Sequence, residues 1–160
     1  MDPKTRHRVK RKRKLCVYLI GSLRNPEVPK LAQEIRKLGF DVFDDWYAAG
    51  PEADDKWRDY EKGRGHTFQE GLRGYAADHV YKFDLKHLKR CDIAVLQLPA
   101  GRSGHLELGY AIGRGKIGFI LHDNPERWDV MYLFAQGVFH NFEGLKAELV
   151  RLKRKINRKK

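Results

Sequence analysis

The feature that most constrains this chain is the stretch from Asp92 to Ala111. Residues 93–98 are apolar apart from one amide and show no polar alternation, which is the pattern of a strand buried on both faces. A turn holding Gly101, Ser103 and Gly104 follows, and then a helical repeat begins. Strands of this kind belong to parallel sheets covered by helices on both sides, and ligands of such sheets collect beyond the carboxyl ends of the strands. The first turn of the helix is expected to present Glu107 beside backbone N–H groups that have no partner within the helix.

The rest of the chain repeats the same unit. Residues 15–20 form a short apolar run that ends at Gly21-Ser22. Asn25 and Pro26 suit the start of a helix carrying Leu31, Ile35 and Leu38, which Gly39 closes. Residues 40–44 read as a second strand that delivers Asp44, Asp45 and Trp46 to the same edge of the sheet. Residues 46–75 contain no strand signal but are rich in aromatic residues, and they read as an inserted helical lid whose rings suit stacking on a base. A helix over 76–90, marked by Val80, Leu85 and Leu88, carries Asp84 among apolar neighbours. Further strands are expected over 117–121 and, weakly, 137–139, with a short helix or loop over 125–136 between them. An amphipathic helix through Phe142, Leu145, Leu149, Leu152 and Ile156 ends the chain. The predicted class is α/β, a flavodoxin-like, doubly wound, five-stranded parallel sheet with an inserted helical lid, because crossovers are right-handed and both faces must be covered.

Charge divides the chain into three parts. The formal net charge is +12, but residues 1–14 and 151–160 together carry +14, leaving residues 15–150 at −2. Residues 1–14 are expected to be a disordered basic arm and 151–160 a basic tail extending the last helix, with 15–150 as the folded domain. Such ends suit contact with nucleic acid backbones, or they serve as solubilising tails. The two cysteines, Cys16 and Cys91, fall in or beside strands and read as reduced, buried thiols. No apolar run reaches the length of a membrane span and no secretory h-region is visible, so cytoplasm is the expected compartment.

Three familiar motifs fail on inspection. Gly109-x-x-x-Gly113-x-Gly115-Lys116 has the wrong spacing for a phosphate loop, lacks the following Ser or Thr, and precedes a strand. No Gly-x-Gly-x-x-Gly follows the first strand, which removes the dinucleotide fingerprint. His105-Leu106-Glu107 lacks the later Cys-x-x-Cys of zinc deaminases, and the histidines show no ligand spacing. Neither a metal nor another cofactor is expected, and His105 reads as a polar residue on the rim of the site.

Several segments together resemble the nucleoside 2-deoxyribosyltransferase superfamily, over about residues 15–140. Glu107-Leu108-Gly109-Tyr110-Ala111 matches its nucleophile motif. Phe83-Asp84-Leu85 followed by Cys91-Asp92-Ile93 matches the spacing of its helical Asp, and Tyr18 in Val17-Tyr18-Leu19 matches its first-strand tyrosine. Tyr18-Leu19-Ile20-Gly21-Ser22-Leu23-Arg24 is similar to the phosphate-binding turn of the 2′-deoxynucleoside 5′-monophosphate N-glycosidases. Gly101 stands where the transferases carry an acid and the monophosphate hydrolases a serine; Ser103 is the nearest serine.

The resemblance implies an N-glycosidase or deoxyribosyltransferase acting on (deoxy)nucleoside 5′-monophosphates or nucleosides. Cleaving a C–N glycosidic bond passes through an oxocarbenium-like state, so a carboxylate below the anomeric carbon and an acid near the base are the minimal set. Glu107 would be the nucleophile, Asp84 the proton donor or sugar-hydroxyl anchor, and Tyr18 the group orienting Glu107. Gly21, Ser22, Arg24 and Ser103 would bind phosphate, with Asp45, Trp46, Gly101 and His105 lining the substrate. Homo-oligomerisation is implied by the resemblance alone. Two other readings are kept: a hydrolase of a dinucleotide or nucleotide second messenger, suggested by the aromatic lid, and a non-catalytic nucleotide-binding protein associated with nucleic acid through its basic ends.

Overall fold

A computed structural model describes residues 13–123 and 128–158. Most of the expected basic arm, residues 1–12, lies outside the described residues, as do 124–127 and 159–160. Five strands form one sheet: β1 (Cys16–Ile20), β2 (Asp41–Phe43), β3 (Ile93–Gln97), β4 (Ile117–Leu121) and β5 (Gly137–Phe139), in the order β2-β1-β3-β4-β5. Every pairing is parallel. This is the flavodoxin-like arrangement that the repeated strand–helix units require, and the chain changes direction across the sheet between β1 and β3.

The pleat sorts the core into two layers, because successive side chains of a strand point to opposite faces. Val17, Leu19, Ile93, Val95 and Phe119 join the layer beneath α1 (Val28–Lys37) and α6 (Phe142–Arg158). Tyr18, Ile20, Ala94, Leu96 and Ile120 join the layer beneath α4 (Tyr75–Arg90) and α5 (Arg102–Gly113). Between β2 and α4 run a 3₁₀ turn over Asp45–Ala49 and two helices, α2 (Ala53–Gly63) and α3 (Phe68–Leu72). The 46–75 segment is therefore helical as expected. α3 starts with a capping box, in which the Thr67 hydroxyl accepts from the Glu70 N–H while the Glu70 carboxylate accepts from the Thr67 N–H.

Two local expectations need correction. Asn25 does not cap α1: its side-chain oxygen accepts from the Glu27 N–H, stabilising a turn, and the helix begins at Val28 with a proline in its first turn. Val80 does not mark a buried stripe, because it is 59% exposed; α4 meets the sheet through Leu88, while Val80 and Tyr81 face solvent.

The edge strand β2 is short and is held from outside. Its Asp41 N–H donates to Leu15, so by alternation the Val42 backbone faces the open edge. There the Arg36 guanidinium donates to the Val42 carbonyl and pairs with Asp44. No helix among the described residues is long and apolar enough to cross a membrane.

Gly118 in β4 tests how tightly α5 is packed. A Cβ there would lie 2.6 Å from Ile112 and 3.1 Å from Leu108. Gly118→Val is expected to lower stability by about 2 kcal/mol, the usual cost of overpacking, with an unchanged denaturant slope in urea unfolding.

Candidate functional site

The site forms where β1 and β3 diverge, and three elements supply it. Tyr18 comes from the centre of β1, points to the α4/α5 face and is wholly buried. Asp84 comes from α4 and Glu107 from α5, and both are half-buried. Gly104 makes this approach possible: a Cβ on it would lie 3.1 Å from both Ile20 and Leu96, so the lack of a side chain lets α5 press onto the ends of β1 and β3.

Glu107 is the sixth residue of α5, not part of its first turn as expected from the sequence. Its own N–H lies within the helix, and a macrodipole effect fades within one turn, so stabilising the helix start does not account for this carboxylate. The groups at the helix start are instead Gly101, Ser103 and Gly104, with Gly101 as an extended N-cap that makes no side-chain capping bond.

Electrostatics single out the Glu107–Asp84 pair. Burial pushes the Glu107 carboxyl up to about 7, the nearby Asp84 charge adds to this, and hydrogen bonding with the Tyr18 hydroxyl partly offsets it. Burial pushes Asp84 up to about 6. The Tyr18 hydroxyl is itself pushed far up by burial and then by Glu107 and Asp84, so it stays protonated and available as a donor. Two carboxyls with raised values beside one buried tyrosine are what acid–base or nucleophilic chemistry near neutral pH uses.

Behind Tyr18 lies an aromatic stack that sequence reasoning missed. Tyr18 packs on Phe43 of β2 with centroids 5.0 Å apart, and Phe43 stacks on His87 at 4.0 Å and 7°. Burial, then Arg90 and Lys86, lowers the His87 imidazole below its usual value. The available signal was spacing, since His87 lies three residues after Asp84 and so on the same side of α4.

The remaining expected residues divide into those near the strand ends and those occupied elsewhere. Gly21 leaves β1 under the Trp46 ring, where its missing Cβ would lie 3.5 Å from that ring. Trp46 donates its indole N–H to Leu19 at 2.8 Å and packs on both core layers, which fixes the ring in place. The Ser22 hydroxyl accepts from the Arg24 N–H. Arg24 reaches Asp55 of α2 at 2.8 Å, so the guanidinium expected to hold a phosphate is paired with a carboxylate of the insert. His105 bonds the Gly101 carbonyl and the Tyr132 hydroxyl, both at 3.0 Å, and so ties α5 to the 3₁₀ turn Val130–Phe134. Asp45 and Ser103 are exposed. Within the insert, Trp57 packs on Phe68, while Tyr60 is exposed.

Glu107 lines neither of two concavities among the described residues. One of about 310 Å³ lies between α4 and β2 and has Phe43, Asp45 and His87 in its wall. The other, about 500 Å³, is largely apolar and is lined by Trp128, Tyr132 and Leu133 among others. No group of His, Cys, Asp and Glu among the described residues is arranged to hold a metal ion.

No protein-family model matches the sequence, and no curated protein matches it. Solved structures do. The CMP N-glycosidase BcmB of Clostridium botulinum superposes with a TM-score of 0.51 at 15% identity, over 84% of this chain and 97% of that one. A 2-deoxyribosyltransferase from Bacillus psychrosaccharolyticus superposes with a TM-score of 0.55 at 20% identity, over 81% and 89%. The chain has the fold of these enzymes.

The raised carboxyl of Glu107 makes a stability prediction. A carboxyl raised from 4.5 to about 7 favours folding in its protonated form, and that contribution is lost as pH rises from about 4.5 towards 7. Glu107→Gln removes the cost of the buried charge, so the variant is expected to exceed the wild type by about 2 kcal/mol at pH 8. Near pH 4 the two should agree, as measured by urea unfolding at both pH values.

Proposed function

We propose that the chain cleaves or transfers the N-glycosidic bond of deoxynucleosides or their 5′-monophosphates, with Glu107 as nucleophile. The observation that carries this reading is the desolvated Glu107 carboxyl, held between Tyr18 and Asp84 at the point where β1 and β3 diverge. The likeness in fold to an N-glycosidase and a deoxyribosyltransferase supports it.

In the first step a Glu107 carboxylate oxygen bonds to the anomeric carbon as the C–N bond breaks. The bonding pair leaves with the base, which takes a proton from Asp84. Tyr18 donates to the Glu107 oxygen that is not attacking, which fixes its direction. In the second step water or another base attacks the same carbon, and the Glu107 carboxylate is released; the proton lost by the attacking group returns to Asp84. Two inversions leave the anomeric configuration unchanged.

The Arg24–Asp55 pair bears on substrate choice. Both side chains are well exposed, and such pairs contribute at most about 1 kcal/mol. A doubly charged phosphate can therefore take Asp55's place on the guanidinium fork, whereas a nucleoside leaves the pair intact. Exposed apolar groups on both sides of the site, Tyr81 and Phe83 on α4 and Leu133 and Phe134 after β4, suit burial against a second copy of the chain.

Three measurements check the reading. Glu107→Ala should reduce base release from a panel of deoxynucleosides and monophosphates at least about 10³-fold; an unchanged low rate would remove Glu107 from the chemistry. The pair titrates at about 6 and about 7, so the wild-type rate should peak between these values. Asp84→Asn leaves Glu107 as the titrating member of the pair, so the basic limb should disappear while an acidic limb remains. Asp55→Asn should shift preference towards monophosphates by up to about five-fold in kcat/KM.

A further inference from the structure

We propose that the edge of the sheet where the strands begin is a binding face for the phosphate backbone of a nucleic acid, separate from the residues around Glu107. In a wholly parallel sheet every strand starts at one edge, and the helices that return antiparallel to the strands finish there too. That edge therefore collects the residues before β1, β3 and β4 together with the last turns of α4, α5 and α6.

Those segments are basic. Arg13 and Lys14 precede β1, Lys89 and Arg90 end α4, and Arg114 and Lys116 link α5 to β4. α6 arrives at the same level: Lys153 donates to the Leu38 carbonyl just before β2 and lies over the Phe40 ring. At 1.5 Å per residue, Arg154 to Arg158 carry three more cations about 7 Å beyond that point. The acids here are Asp41 and Asp92, with Asp45 in the wall of the adjoining concavity, and Asp92 is already occupied by Arg13 and the Cys16 N–H. The chain continues from Arg13 and Arg158 into residues 1–12 and 159–160, which hold eight further Lys or Arg and one Asp.

The shape of this edge also suits a polynucleotide. The concavity of about 310 Å³ opens among Arg13, Lys14 and Arg90, with the stacked pair Phe43 and His87 in its wall. Phe43 is buried beneath His87, so the cations of this face suit sequence-independent contact with the backbone. Membrane surfaces are a poorer match, because cationic membrane faces insert large apolar groups. The large exposed apolar residues here lie on the insert, along α4, on Leu106 and around the β4–β5 connection, not among these cations.

The test is fluorescence anisotropy with labelled single-stranded and duplex DNA of about 20 nucleotides, titrated with the full chain between about 50 and 200 mM salt. The wild type should bind with an affinity that falls steeply as salt rises. Replacing Lys14, Arg90, Arg114, Arg154 and Lys155 by Gln should weaken binding at least about ten-fold and reduce the log–log salt slope by about 0.9 for each phosphate no longer neutralised. Replacing Lys56, Lys62, Arg64, Arg73 and Lys82 by Gln should change affinity less than about two-fold, since these cations lie away from the face. Circular dichroism and urea midpoints establish that both variants fold. Equal losses in the two variants, no loss in the first, or tighter binding to anionic phosphatidylserine vesicles than to DNA would overturn the proposal. Base release from a small nucleoside should be the same in the first variant as in the wild type, which separates this face from the Glu107 site.

Discussion

The site depends on one constraint: β1 is buried on both faces, so the residue at its centre must choose a side. Alternation sends Val17 and Leu19 towards α1 and α6 and Tyr18 towards α4 and α5. A phenol with no exposure to solvent needs a partner for its hydroxyl. Glu107 is that partner, and it is kept from water by the same packing. The cost of burying the carboxylate and its titration near neutral pH have a common origin, because burial penalises the charged form. Gly104 contributes from a distance, since α5 reaches the strand ends only because that position has no side chain.

Much of this was legible in the sequence, for identifiable reasons. Uninterrupted apolar runs ending at Gly21-Ser22 and before Gly101 specify parallel strands, and the helical periods between them specify crossovers. The handedness of those crossovers narrows the possible strand orders without selecting one. Tyr18, Asp84 and Glu107 could be grouped through the resemblance of the motifs around them to the nucleoside 2-deoxyribosyltransferase superfamily. Less legible were features decided by side-chain reach. Nothing in the spacing of Arg24 and Asp55 indicates that they meet, since the two lie on separate elements joined only by folding. The His105–Tyr132 bond and the Phe43–His87 stack likewise need the third dimension. Asn25 misled because a turn and a helix cap use the same side-chain oxygen in the same way.

The charge distribution gives the molecule one distinctly basic edge. Basic groups gather where the strands begin, although the folded body is nearly neutral in sum. A phosphate-bearing small ligand approaching the Glu107 site meets Arg24 as a local cation.

Arg36 has an effect beyond its local pairing. A sheet ending in an unpaired strand offers its outward carbonyls and N–H groups to any extended chain nearby, which is how native domains begin to aggregate through their edges. β2 is only three residues long, and the Val42 carbonyl at its open side is already bonded to the Arg36 guanidinium, whose charge is held in place by Asp44. An incoming strand would have to expel a paired cation to form a single backbone bond. The residue that fastens α1 to the sheet thus also occupies the outward carbonyl of this border, the group a further strand would otherwise pair with.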